Sequence, residues 1–105
     1  MNKLSWCKEQ AKGISIIEPN LILSDSYLKE AAYNLLQMTK VEGKLKVVLG
    51  YYACYSAIYS LLIRVGVKCE IHDCTLSLLE HIPALSEYFA FVIDLKKNEL
   101  MCNII

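Results

Sequence analysis

The chain is poor in the residues that interrupt regular structure, and it is almost empty of arginine. It has four glycines, two prolines and one arginine, Arg64, among 105 residues. The scattered glycines form no glycine-rich loop of the kind that cradles a phosphate. The 11 basic and 11 acidic residues cancel, whereas a protein that binds nucleic acid by neutralising phosphates usually carries a basic excess. These absences argue against a phosphate-loop enzyme and against a conventional nucleic-acid-binding domain.

The cysteines and the N-terminus bear on where the protein works. There are five cysteines, an odd number, and their spacing does not suggest a disulfide framework. The first 13 residues, MNKLSWCKEQAKG, lack the apolar core of a signal peptide. Both features predict a protein of the reducing cytoplasm.

Apolar residues, in contrast, are abundant. They make up 55% of the chain, and the mean hydropathy is +0.35. A single domain of this size, spanning 1–105, buries only roughly 60–68% of the surface that its unfolded chain exposes. The excess apolar surface therefore predicts an oligomer interface, and a homodimer is the simplest form of one.

The longest uncharged run is at the lower limit of length for a membrane span. Val47 to Ile63 is 17 residues without a charge, and about 20 are typical of a spanning helix. Tyrosines occur throughout the run, whereas membrane proteins concentrate them at the two interfaces. We therefore expect the central helix of a soluble bundle and no membrane association.

Hydrophobic periodicity predicts helices through the first half of the chain. Residues 1–23 form an N-terminal segment, in which a short helix over 3–12 precedes a connector. A long helix begins near Ser24, in a run of residues favoured at helix N-termini, and ends near Gly43. Its apolar side chains recur at helical spacing. They are Leu28, Ala31, Ala32, Leu35 and Leu36.

Two further helices are predicted before residue 83. One runs from Lys44 to Val65, where Gly66 provides a C-terminal cap. The next starts with Asp73 as its N-cap and runs to Ile82 before Pro83 ends it. Four tyrosines of the Lys44–Val65 helix are expected in the core or at a dimer interface. They are Tyr51, Tyr52, Tyr55 and Tyr59.

The C-terminal segment, 87–105, allows two interpretations. Two apolar stretches flank a polar Lys-Lys-Asn, which is compatible with a β-hairpin. A fourth long helix is favoured because the rest of the chain is helical.

The segment from Gly50 to Glu80, GYYACYSAIYSLLIRVGVKCEIHDCTLSLLE, resembles the HEPN family (higher eukaryotes and prokaryotes nucleotide-binding domains). Its tyrosine-rich helix, its Gly-Val-Lys turn and His72 at the start of the next helix carry the resemblance, which extends with less specificity over most of residues 1–82. The resemblance implies an up-and-down bundle of about four helices that forms a homodimer. It implies one of two roles. One is an RNA-cleaving toxin, and the other is the non-catalytic partner of a minimal nucleotidyltransferase in a toxin–antitoxin pair.

The catalytic motif of the ribonuclease members is absent. The resemblance implies that such members carry an Arg-x4–6-His motif on a late helix. The arginine would hold phosphate charge and the histidine would move a proton. With Arg64 as its arginine, the motif would need a histidine at position 69, 70 or 71. These positions are Cys69, Glu70 and Ile71. His72 is one residue too far along the chain, and Gly66 interrupts the helix before it.

Two other groupings of residues have the chemistry of a binding site. Cys69, His72 and Cys74 have ligand types suited to zinc, but a fourth ligand is lacking, so we expect buried cysteines and no metal or cofactor. A nucleotide or RNA site, if there is one, is expected to lie between helices. Its candidate contacts are Lys44, Lys46, Arg64, Lys68 and His72.

The sequence therefore predicts an all-α, HEPN-type homodimer without nuclease activity. Its expected role is interaction, or nucleotide or RNA binding, beside a nucleotidyltransferase. The alternative is a ribonuclease toxin with an atypical active site, assembled from two chains.

Overall fold

The computed structural model describes residues 3–104, and the side chains of residues 3–98. Within that range the chain is mainly helical, as predicted, and folds into five α-helices with one small pair of strands. In chain order these are α1 (Lys3–Glu9), β1 (Ser15–Ile16), α2 (Leu21–Met38), α3 (Lys44–Val65), β2 (Val67–Lys68), α4 (His72–Glu80), a 3-10 turn (Ser86–Tyr88) and α5 (Phe89–Ile104).

Helix α3 is the centre of the molecule. It packs against α2, α4 and α5, and its bounds agree with the prediction. The main core cluster contains side chains from α3, α4 and α5. Its buried members are Tyr51, Ile58, Leu62, Leu76, Leu79 and Val92. Among the described residues α3 is also the only helix long and apolar enough to cross a membrane, and 44% of its most apolar window is buried by the rest of the chain.

Helix α2 starts three residues earlier than the sequence predicts. The side chain of Asn20 accepts a hydrogen bond from the backbone N–H of Leu23 at 2.9 Å, so Asn20 is the N-cap and Ser24 lies inside the helix. The Ser24 hydroxyl donates instead to the carbonyl of Ser60 on α3 at 2.9 Å, and Ser60 returns a bond to the Ser24 carbonyl at 2.7 Å. This buried pair fixes the two helices against each other.

The short elements also differ from the sequence prediction. Helix α1 ends at Glu9 rather than at residue 12, and α4 begins at His72, one residue before the expected cap Asp73. The connector contains β1, which pairs antiparallel with β2 so that Ile16 faces Val67. Gly66 makes this pairing possible for two reasons. Its φ of 91° turns the chain at the end of α3. A side chain at this position would come within 2.6 Å of the Ile17 carbonyl oxygen.

The C-terminal segment is helical, which resolves the choice between helix and hairpin for the described residues. Helix α5 packs on α3 and α4. Lys96 donates to the carboxylate of Asp73 at 2.6 Å, and this bond lowers the pKa of Asp73 below its usual value. The ion pair therefore fastens α5 to the first turn of α4.

Among the cysteines whose side chains are described, two are bonded to each other. The cysteine spacing predicts no disulfide framework, yet Cys7 of α1 and Cys74 of α4 form a disulfide across 67 residues. Cys54 and Cys69 are free thiols, and Cys69 is buried as predicted.

Candidate functional site

His72 lies against the tyrosine face of α3. The Tyr51 hydroxyl and His72 Nδ1 are 2.9 Å apart, and the Tyr55 ring stacks on the imidazole with centroids 3.8 Å apart. The two tyrosines are one helical turn apart on α3 and so present their rings to the same place. His72 is at the first position of α4, which brings it onto this face.

Hydrogen bonds of the Tyr55 and Thr75 hydroxyls connect this contact to the core. Tyr55 and Thr75 hydroxyls are 3.3 Å apart, and Thr75 Oγ1 lies within hydrogen-bonding distance of the carbonyls of Cys69 and Ile71, at 3.2 and 3.3 Å. Thr75 is completely buried. The network therefore anchors the turn before α4 to α3.

Two tyrosines of this face, Tyr55 and Tyr59, are held in the neutral state. Burial raises the pKa of Tyr55. Burial and the neighbouring Tyr27, whose ring meets Tyr59 edge-on at 4.7 Å, raise the pKa of Tyr59 to about 12. A tyrosine can act as a general base only after its hydroxyl has lost its proton, which requires a pKa near the working pH. These two hydroxyls are poorly suited to that task, and their contacts are those of a core.

The four tyrosines of α3 that were expected in the core or at a dimer interface are divided between core and surface. Tyr51 is 1% exposed and Tyr59 is 7% exposed. Tyr52, which the sequence also assigned to the core or a dimer interface, is 38% exposed. The tyrosine face of α3 is thus largely covered by the chain itself, and little of it is left for a partner.

Arg64 and His72 are not brought together within one chain. His72 stacks on Tyr55, and Arg64 lies nine residues after Tyr55 on α3, which is about 13 Å along the axis and half a turn around it. Arg64 instead pairs with Asp25 of α2 at 3.6 Å, with both side chains more than half exposed. An arginine and a histidine placed in this way cannot act on the same phosphate.

The other candidate ligands are also dispersed. Lys68 pairs with Glu70 at 3.7 Å beside the small strand pair. Lys44 and Lys46 lie at the opposite end of α3 from Arg64, roughly 30 Å away for a helix of that length. The five residues proposed as nucleotide or RNA contacts therefore do not form one site.

The Cys69–His72–Cys74 spacing does not form a metal centre. Cys74 is used in the disulfide, and His72 Nδ1 contacts the Tyr51 hydroxyl. Within the described residues there is no group of three His, Cys, Asp or Glu side chains with the geometry to hold a metal ion.

An apolar trough lies between α2, α3 and α5. Three adjoining cavities of about 220, 290 and 400 Å³ share Cys54 as a lining residue. We call this surface the α2/α3/α5 trough and define it by six residues. They are Leu28, Leu35, Ala53, Cys54, Ala57 and Phe91.

The trough has a floor of small residues and walls of large ones. Ala53 and Ala57 are one turn apart on the side of α3 that faces away from the tyrosines. Leu28, Leu35 and Phe91 stand around them and are 53%, 54% and 59% exposed. The apolar stripe by which the sequence identifies α2 thus lies mainly in this trough rather than in the core.

The sequence indicates the apolar residues that form the trough, but it does not indicate that they are exposed. The small residues of α3 indicate the close approach of another helix, and the periodicity of α2 marks an apolar face. Neither signal shows whether the chain itself covers that face. Comparison with protein-family models, with curated proteins and with solved structures found no match to this chain.

Proposed function

We propose that this chain is a non-catalytic, HEPN-type interaction protein that acts as a homodimer through the α2/α3/α5 trough. The observation that carries the proposal is the trough itself, a continuous apolar surface that the described chain leaves open. The proposed partner of the dimer, on the resemblance at Gly50–Glu80, is a minimal nucleotidyltransferase in a toxin–antitoxin-like pair.

The area of the trough supports an interface. Tyr88 lines one of the three cavities at the edge of the trough. An aromatic side chain buries about 150–250 Å² when it is covered, so the half-exposed Tyr88 and Phe91 leave roughly 200 Å² between them. Leu28 and Leu35 expose comparable fractions, and the floor of the trough adds further area. Specific interfaces bury about 800 Å² per partner, and this surface supplies a large part of that amount.

The shape and charge of the trough favour a second copy of the same chain as its occupant. A two-fold interface must be complementary to itself. The trough meets this condition because leucine and phenylalanine walls stand beside an alanine floor that can receive the walls of the other copy. The 11 basic and 11 acidic residues cancel, so two copies do not repel each other through net charge.

The separation of Arg64 from His72 supports a non-catalytic role. The ribonuclease alternative requires two chains to bring Arg64, Lys68 and His72 together. RNA digestion by the purified protein tests this alternative directly. Cleavage that is lost in His72→Ala would favour the toxin over the interaction protein.

Sedimentation velocity at micromolar concentration tests the homodimer. The wild-type chain should sediment with twice its mass of 11.9 kDa. Leu35→Glu should sediment as a folded monomer, because it places a charge in the middle of the apolar surface. Tyr33→Glu is the matched control, since Tyr33 is 62% exposed and lies on the opposite side of α2 from Leu35.

A monomeric wild-type protein would contradict the homodimer, and so would equal effects of the two substitutions. The nucleotidyltransferase is tested separately, by purifying the tagged chain from its native cells with and without nuclease. A stoichiometric nucleotidyltransferase that survives nuclease would support the partner. Recovery of RNA, with the accompanying proteins lost on nuclease treatment, would contradict it.

A further inference from the structure

Three sulfur atoms lie together at the contact between α1 and α4. Cys7, Cys69 and Cys74 form one cluster, and each is 0% exposed. Cys7 and Cys74 are bonded to each other, and Cys69 is a free thiol. This cluster is separate from the α2/α3/α5 trough and does not depend on the function proposed for that surface.

Helix α1 is attached to the molecule largely through Cys7. The helix has seven residues, and Cys7 is its one buried side chain. Helices of this length are not stable by themselves in water, and α1 packs mainly on α4. Backbone hydrogen bonds from Ile14 to Cys7 at 3.1 Å and from Glu70 to Lys12 at 2.9 Å add to the attachment.

The surface beneath α1 is apolar. Ile14, Ile71 and Leu78 pack around the three cysteines, and Ile71 directly precedes His72 at the start of α4. Displacement of α1 would therefore uncover a sulfur-containing apolar patch next to the tyrosine–histidine contact.

We propose that the Cys7–Cys74 disulfide is a redox-controlled latch that holds α1 on α4 when oxidised and releases it when reduced. The reductant is a dithiol, either a small molecule or a protein. One of its thiolates attacks Cys7 or Cys74, a mixed disulfide forms, and the other cysteine leaves as a thiolate. The second thiol of the reductant then displaces the remaining cysteine, so that two electrons and two protons pass to the protein and the reductant becomes a disulfide.

Access to the bond comes from the weakness of α1 itself. Because the disulfide is buried, a dithiol reaches it only when the structure opens. Short helices with few buried contacts open at a much lower free energy than the core. The same helix that the bond holds down therefore controls the access of the reductant.

Thiol counting and hydrogen exchange on the wild-type protein test the latch. When the oxidised protein is alkylated under denaturing, non-reducing conditions and mapped by mass spectrometry, Cys54 and Cys69 should be modified and Cys7 and Cys74 should not. After native incubation with dithiothreitol, all four should be modified. Reduction should speed amide exchange in residues 3–13 by at least about tenfold under conditions where the reduced protein stays folded, and α3 should remain the slowest-exchanging helix.

Variants distinguish the latch from a general loss of structure. Cys7→Ser should show fast exchange in residues 3–13 whatever the redox state. Cys54→Ser is the control, because Cys54 lies in the α2/α3/α5 trough, and it should keep the redox dependence of the wild type. If Cys7→Ser does not fold, the comparison of oxidised with reduced wild type decides the question.

Three results would overturn the proposal. Resistance to dithiothreitol under native conditions would show a permanent crosslink rather than a latch. Equal exchange in the two redox states would show that the bond does not hold α1. Peptide mapping that finds Cys74 joined to Cys69 would show a different pairing.

Discussion

At the scale of single residues, the Tyr51 hydroxyl is the clearest link between α3 and α4. It is buried, and it lies 2.9 Å from His72 Nδ1. Such a hydrogen bond contributes about 1 kcal/mol to stability, and more when its loss leaves a buried group without a partner.

The first prediction is that Tyr51→Phe lowers the free energy of unfolding by about 1 kcal/mol and keeps the fold. The ring still packs while the hydroxyl contact to His72 is lost, and the NMR signal of His72 Nδ1 should shift. Urea denaturation measures the first effect. Tyr52→Phe is the control, since Tyr52 is 38% exposed, and it should change stability by less than about 0.5 kcal/mol. An equal loss in both variants would disprove the role of the Tyr51 hydroxyl.

The second prediction concerns alkaline pH. The pKa of Tyr59 is raised from 10.0 in the unfolded chain to about 12 in the folded chain, so the folded state holds this proton more tightly. The resulting stability is fully present below pH 10 and is lost as the pH rises towards 12.

Circular dichroism in a fixed, marginal concentration of urea should therefore show unfolding of the wild type between these pH values. Tyr59→Phe has no proton to lose at this position, so its stability should depend less on pH. Part of the remaining dependence comes from Tyr55, whose pKa is also raised. Identical pH profiles for the two proteins would contradict the assignment to Tyr59.

At the scale of elements, the contact of α2 with α3 includes a pair of buried, hydrogen-bonded serines and no leucine seam. Ser24 and Ser60 are 1% and 5% exposed, and each donates to the carbonyl of the other. Small hydroxyl side chains allow the two backbones to come close. The larger apolar residues of α2 are consequently left for the trough.

The third prediction is that Ser24→Ala and Ser60→Ala each lower the free energy of unfolding by about 0.5–1.5 kcal/mol. The effects should not be simply additive, because the two hydroxyl oxygens lie 3.0 Å apart in one hydrogen-bond network. Ser26→Ala, at an exposed position of α2, controls for the higher helix propensity of alanine and should be neutral or slightly stabilising. Urea denaturation of the three single variants and the double variant tests this, and a neutral Ser24→Ala would contradict it.

Much of this element order can be predicted from the sequence, because glycines and apolar periodicity mark the helices locally. The bounds of α3 follow from Gly43 and Gly66. The N-terminus of α2 does not follow in the same way, because Ser24 has the chemistry of a cap but is used in a contact with Ser60. Local signals cannot reveal that a side chain is committed to a residue 36 positions away.

At the scale of the whole molecule, too, the features that the sequence does not predict are those that depend on contacts between distant parts of the chain. Periodicity identifies which face of α2 is apolar, but coverage of that face depends on how all the helices are arranged. The dispersal of Lys44, Lys46 and Arg64 follows from the length of α3, which the sequence does predict. The bond between Cys7 and Cys74 does not follow, because no spacing rule relates two cysteines 67 positions apart.

The fourth prediction is that thermal stability depends on protein concentration. If dimers form through the α2/α3/α5 trough, association stabilises the folded state by mass action. The Tm of the wild type should rise over an about tenfold increase in concentration, and the Tm of Leu35→Glu should not. Differential scanning calorimetry at several concentrations makes the comparison. A Tm of the wild type that does not change would contradict an interface at this surface.

The position of the disulfide in the chain has a consequence for folding. Residues 7 and 74 bracket both long helices, and α2 and α3 are neighbours in sequence that make the most extensive helix–helix contact in the molecule. Local contacts form early, so the α2–α3 hairpin can assemble well before Cys74 reaches Cys7. Closing a loop of 67 residues removes chain entropy worth on the order of 4 kcal/mol from the unfolded state in the simplest treatment. The Cys7–Cys74 bond is therefore expected to form after the α2–α3 hairpin, and it stabilises the folded chain by restricting the unfolded one.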